Sequence, residues 1–301
     1  VMSGAGGVNV NKTGTGNLYV TAANTYTGDF TLTSGVIGLM TDSVGTPNNV
    51  TSGPLGRGTV HLNGGTVTAV SAVRTVNNSV QVGGDFSVSQ GAGAANNITF
   101  AGTVMLTGTG VTRTITGDYN SYVSGARGTL AFTGAISEAG AGNGITFANT
   151  ASTHIVLSGI NTYTGNTTVT GGNMTLSDNA GLKFVIGANG VNNRLLGTGI
   201  INLDGDFTFD LAGAGTALGN SWNIVNVASL TETFGSTFSV NGFSDIGGNL
   251  WEATNVNGGR TYQFSEATGL LSVTAVPEPT TWALLAGGLT LVTVLRRRRI
   301  N

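Results

Sequence analysis

The chain has 301 residues, of which 50 are Gly, and only 9% are charged. That Gly content is far above the roughly 7% of ordinary proteins, and the charge far below their roughly 25%. These figures exclude a charged disordered chain and a helical bundle, because Gly, Thr and Asn are poor helix formers. Collagen is excluded too, since Gly has no three-residue period and there are only 4 Pro. A formal net charge of -2 argues against a nucleic-acid binder. With no Cys, disulfides, thiol catalysis and cysteine-based zinc sites are absent.

Residues 1–16 show neither a basic n-region nor an apolar h-region, so no leader is expected there. The chain starts with Val, and it reads as a fragment or a processed form. From there the period is two. Thr59-Val60-His61-Leu62-Asn63, Asp85-Phe86-Ser87-Val88-Ser89, Asn173-Met174-Thr175-Leu176 and Thr237-Phe238-Ser239-Val240 alternate polar with apolar. Each predicts a short strand with one buried face. In the second half, Leu157, Val169 and Leu176 are expected inside, and Ser158, Thr168 and Thr175 outside. Turns fall at Asn63-Gly64-Gly65, Gly83-Gly84-Asp85, Gly171-Gly172-Asn173 and Asp204-Gly205-Asp206.

A long-range echo overlies the alternation. Asn24-Thr25-Tyr26-Thr27-Gly28, near the start, is identical to Asn161-Thr162-Tyr163-Thr164-Gly165 in the second half. The register continues, with Leu32 against Val169, Ile37 against Met174 and Leu39 against Leu176. A second echo sets Leu55-Gly56-Arg57-Gly58 against Leu196-Gly197-Thr198-Gly199. Apolar positions and glycines recur while outward positions drift, as stacking requires. The expected fold is all-β, a parallel β-helix over residues 1–211, with coils of roughly 20 to 25 residues, about nine in number and about 4.8 Å apart.

The segments around Asn24, Tyr26, Gly28 and Asn161, Tyr163, Gly165 resemble the autotransporter-associated β-strand repeat. That resemblance implies a right-handed parallel β-helix of a large bacterial surface protein. The β-barrel translocator that usually ends such proteins is not in this sequence. Residues 212–275 are richer in large aromatics, among them Trp222, Trp251, Phe234, Phe238, Phe243, Tyr262 and Phe264. They read as a β-rich cap over the open end of the stack. A carbohydrate platform is the alternative use of such rings.

The tail, residues 276–301, changes character. Pro277-Glu278-Pro279 precedes an uncharged apolar run at residues 282–295, and Arg296, Arg297, Arg298 and Arg299 follow. Without residues 277–301 the chain keeps 8 basic and 13 acidic side chains, so the body is acidic and the tail basic. As a helix the run spans about 21 Å, short of a hydrocarbon core of about 30 Å. Arginine stems can extend its reach, and the Arg block orients the C-terminus inward. This order resembles the PEP-CTERM sorting signal. The resemblance implies recognition by an exosortase-type membrane enzyme, cleavage near the triplet, and a short-lived anchor in the inner membrane through residues 282–295. It further implies delivery to the cell surface or extracellular matrix of a Gram-negative bacterium, where exopolysaccharide is a candidate partner.

No catalytic, cofactor-binding or metal-ligating residue is expected. His61 and His154 are the only histidines, and neither has a metal-ligand spacing. Asp204, Asp206 and Asp210 form the one carboxylate cluster, and they read as turn chemistry. The expected function is a non-enzymatic exported scaffold or adhesin. The alternative is a polysaccharide-active or polysaccharide-binding β-helix protein.

Overall fold

The computed structural model describes residues 1–4, 6–90, 97–119, 128–230 and 233–274. Among these residues every regular element is a strand, from two to seven residues long. Alternation explains the shortness. Each strand contributes two or three inward side chains, and then a turn swings the chain onto the next face.

The strands stack in parallel ladders on three faces. The first face runs Val10–Lys12, Phe30–Leu32, Val60–Leu62, Val80–Val82, Val104–Leu106 and Ile136–Glu138. The second holds nine strands, from Asn17–Val20 to Val225–Val227. The third holds six, from Arg74–Val76 to Ile200–Leu203. A four-stranded parallel sheet from Ile160–Asn161 to Ser239–Val240 takes over beside the first face, where Thr162 N–H donates to the Ile136 carbonyl at 2.9 Å. The second face has nine rungs, but the ninth, Val225–Val227, lies past Leu211, so residues 1–211 hold eight rungs where about nine coils are expected. Eight steps of about 4.8 Å make a stack roughly 40 Å long.

Coil length is far less uniform than the sequence repeat suggests. The coil that carries Asn17 to its ladder partner Val36 is short, whereas the one from Thr112 to its partner Gly144 is more than half as long again. The ladders constrain only the strands, so corners absorb insertions without breaking the stack. One insertion is an antiparallel hairpin of Val44–Thr46 and Asn49–Ser52.

Register places like on like. Ile98, Leu130, Ile155, Met174 and Ile201 form one inward column of the third face, and Phe100, Phe132, Leu157, Leu176 and Leu203 the next. All ten are buried. The assigned parity holds: Leu157, Val169 and Leu176 are fully buried, while Ser158, Thr168 and Thr175 are partly exposed. Phe100 and Phe132 stack at 5.5 Å in this interior.

The parallel ladders run on past Leu211, through Val225–Val227 and Ser239–Val240. Interleaved with them is a five-stranded antiparallel sheet that includes Ser221–Asn223, Leu250–Val256, Arg260–Ser265 and Leu270–Thr274. Phe207 of the stack touches Phe264 of this sheet at 5.8 Å, so one core serves both.

Candidate functional site

The repeat motif builds corners. After the strand Thr153–Leu157, the chain turns and Asn161 goes inside, 2% exposed. Its Nδ2 donates to the carbonyls of Gly159 at 2.9 Å and Gly181 at 3.0 Å, and its Oδ1 accepts from Ile136 N–H at 2.9 Å. One amide thereby ties three successive coils. Asn24 is equally buried, with Nδ2 on the Pro54 carbonyl at 2.9 Å and Oδ1 accepting from Met2 N–H at 2.7 Å. Gly28 and Gly165 follow where the chain presses on the coil before. A Cβ on Gly28 would strike the Val8 carbonyl, and one on Gly165 the Asn143–Gly144 peptide. The shared chemistry of the two copies is therefore corner packing.

The two corners are alike but not at the same edge. Tyr26 leads into Phe30–Leu32 on the first face, whereas Tyr163 leads into Thr167–Val169 on the second. The motif has rotated by one face. The cause is the variable coil length: the stretch between the two copies is not a whole number of turns of this stack.

The tyrosines also differ. Tyr163 is buried and its hydroxyl bonds Thr167 Oγ1 at 2.5 Å. Tyr26 is just as buried, but Phe30 stands where Thr167 stands, and its hydroxyl has no partner. Burial pushes the pKa of each phenol up to about 12, and the Thr167 bond partly opposes this at Tyr163. Replacing Tyr163 with Phe should cost about 1 kcal/mol, since the buried Thr167 hydroxyl loses its partner. Tyr26→Phe should be neutral or stabilising, because it removes an unpaired buried hydroxyl. Urea midpoints of the two variants test this, and equal losses would contradict it. For the native chain, the raised phenol values imply stability fully present below pH 10 and lost as pH climbs through about 12.

Asp210 stands apart from the rest of the Asp cluster. Asp206 and Asp210 lie at opposite ends of one strand, so roughly 13 Å separates their Cα atoms. Carboxylates that cleave glycosides sit about 5–9.5 Å apart. Asp210 pairs with Lys183 at 3.0 Å, and this partner holds its carboxyl below the usual range. Asp206 accepts from Ser239 Oγ, and the Asp204 carbonyl accepts from Thr237 Oγ1. Gly205 between them is crowded by the Ser177 and Ala180 carbonyls. His61 is not merely solvated: its Nε2 lies 3.1 Å from Asp29 Oδ2. His154 Nε2 bonds Thr175 Oγ1 at 2.9 Å. Among the described residues, no group of three or more His, Asp or Glu is placed to hold a metal ion.

Of the large aromatics in this region, Trp222, Phe238, Tyr262 and Phe264 are core, while Phe234, Phe243 and Trp251 are partly buried against it. Trp222, Tyr262 and Phe264 are fully buried, and Trp222 Nε1 donates to the Ala188 carbonyl at 2.8 Å. Trp251 Nε1 donates to Glu266 Oε1 at 2.6 Å. Two features escaped the sequence reading. One is a set of further buried corner amides at Asn78 and Asn143. The other is Tyr19, 52% exposed, whose ring lies over Gly38.

Pro277, Glu278, Pro279, the apolar run at residues 282–295 and Arg296 to Arg299 lie outside the described residues. Among the described residues, no helix is long and apolar enough to cross a membrane. Comparison with curated proteins and with solved structures gives no match. The tail does meet a known family: the chain carries a PEP-CTERM protein-sorting motif at residues 275–299.

Proposed function

We propose that this chain is an exported cell-envelope protein whose tail is read and removed by an exosortase-type enzyme, leaving the β-stack as a non-enzymatic scaffold or adhesin at the surface or in the matrix. One observation carries the proposal: the sorting motif at residues 275–299 follows an all-β body. The physics of the tail agrees. An apolar run this short grips a bilayer poorly, and the Arg block keeps the C-terminus on the inner side. On this reading the Pro-Glu-Pro triplet belongs to the side of the bilayer opposite the Arg block, where the sorting enzyme would meet it.

The body is read as a right-handed coil of the autotransporter-associated repeat type. Support comes from the parallel stacking, because parallel crossovers are almost always right-handed, and from the like corners at Asn24 and Asn161. The separation of Asp206 from Asp210 along one strand, and their ties to Ser239 and Lys183, favour a scaffold over a polysaccharide-cleaving enzyme.

Mass spectrometry of the native protein tests the sorting. In cells with an intact sorting enzyme, the mature chain should end near residues 277–279. A mature surface chain that retains residues 282–299 would reject removal and leave a plain anchor.

A further inference from the structure

At the corner between the first and second faces the side chains thin out and leave a groove of about 470 Å³. It runs along the stack across successive coils, from Thr15 to Thr116, with Val36, Thr66, Asp85 and Ser87 between. Val36, Thr66, Ser87 and Thr116 are ladder partners in one outward column. Three hydroxyls therefore recur at the coil spacing of about 4.8 Å. Gly35 and Gly65 make the recess, and a Cβ on Gly65 would come within 2.7 Å of the Gly35 carbonyl. Phe86, only 3% exposed, closes the floor.

One column over, roughly 7 Å away on the same face, Tyr19 flanks the end of the groove near Val36. Its ladder partner is Gly38, and a Cβ there would collide with the Tyr19 ring. The ring thus lies down on the sheet with its other side open. Asn17 Nδ2 donates to the Tyr19 hydroxyl at 3.3 Å.

We propose that this groove, with Tyr19 as a stacking platform, binds an extended, uncharged glycan chain. A straight groove with hydroxyls at the coil spacing suits a β-1,4-linked chain, which advances by about one coil spacing per sugar. Each sugar meets one coil, and its hydroxyls exchange hydrogen bonds with Thr66, Ser87 and Thr116. A flat, half-exposed phenol offers the apolar contact that the face of a pyranose ring needs. Charge sets the class. Asp85 is the one ionisable side chain among the lining residues, and its Oδ1 accepts from Thr114 N–H at 2.8 Å. The nearby Lys12 ammonium is tied to the carbonyls of Gly14 and Ser34. An anionic chain therefore finds no free cation in this lining. The inference goes beyond the sorting reading and does not depend on it.

The test is calorimetric titration of the full chain in detergent with cellohexaose, and with maltohexaose and hexagalacturonate as comparators. Saturable binding of cellohexaose is expected, with little or none of the other two. Tyr19→Ala should weaken it by about tenfold or more, and Tyr19→Phe should leave it unchanged. Ser87→Tyr, which fills the groove from an outward position, should abolish it while the thermal midpoint stays in place. Absence of cellohexaose binding would overturn the proposal. So would equal binding of maltohexaose or hexagalacturonate, or wild-type affinity in Ser87→Tyr.

Discussion

Asn143→Ala should destabilise the chain by about 3–5 kcal/mol, on the basis of roughly 1–3 kcal/mol for each buried polar group left unpaired. Asn143 is fully buried at the corner between the strands Ile136–Glu138 and Gly144–Asn149. Its Nδ2 donates to the carbonyls of Gly140 at 2.7 Å and Gly108 at 2.9 Å, and its Oδ1 accepts from Val111 N–H at 2.9 Å. Gly108 and Val111 belong to the coil before, so one amide clamps two coils. Alanine fills part of the space but satisfies none of these groups. Against a typical total of about 5–15 kcal/mol, that loss decides whether the stack survives warming. Asn143→Asp separates packing from bonding. Its carboxylate still accepts from Val111, but it would be a buried charge facing carbonyls, so its pKa is raised. A raised carboxyl favours the folded chain at low pH, and that benefit is lost as pH rises through the folded pKa. Asn143→Asp should therefore be least damaging in acid. Denaturant midpoints across pH measure both effects. A loss in Asn143→Ala no larger than in outward Thr168→Ala would refute the clamp.

The strands were legible because burial on one face writes a period of two into the chain. Val60, Leu62, Val80 and Val82 point inward as that period requires. The Asn-Thr-Tyr-Thr-Gly corner was legible because it occurs twice. Its rotation from one edge to the next was not, since the angular phase depends on corner insertions that leave no mark on the strands. Asn143 reads as an ordinary turn residue in Ala141-Gly142-Asn143-Gly144, and only the stack shows its amide to be interior. The groove was hidden for a related reason. Thr66, Ser87 and Thr116 lie far apart along the chain and become neighbours only through pairing. The sorting signal was the opposite case. It is a linear order of residues, and needs no fold to be recognised in sequence.

Phe207→Ala should cost about 3–5 kcal/mol, and the damage should be confined to one end. Phe207 is fully buried on the strand Asp206–Asp210. Its ring meets Phe184 of the preceding coil at 4.8 Å, Phe238 at 5.0 Å and Phe264 of the antiparallel sheet at 5.8 Å. Each such aromatic pair adds roughly 0.5–1.5 kcal/mol beyond area burial. Phe238 in turn touches Trp251 at 5.7 Å, so the indole reports on this cluster. Stacked units feel mainly their neighbours, and a cavity here has no rigid path to the early coils. Hydrogen exchange should therefore rise in Leu250–Val256, Arg260–Ser265 and Leu270–Thr274, while Phe30–Leu32 and Val60–Leu62 keep their protection. Trp251 emission should shift to the red at lower denaturant than the loss of strand signal. Uniform loss of protection along the whole chain would show instead that the stack and the antiparallel sheet unfold as one cooperative unit, and would reject an end-local role for this ring.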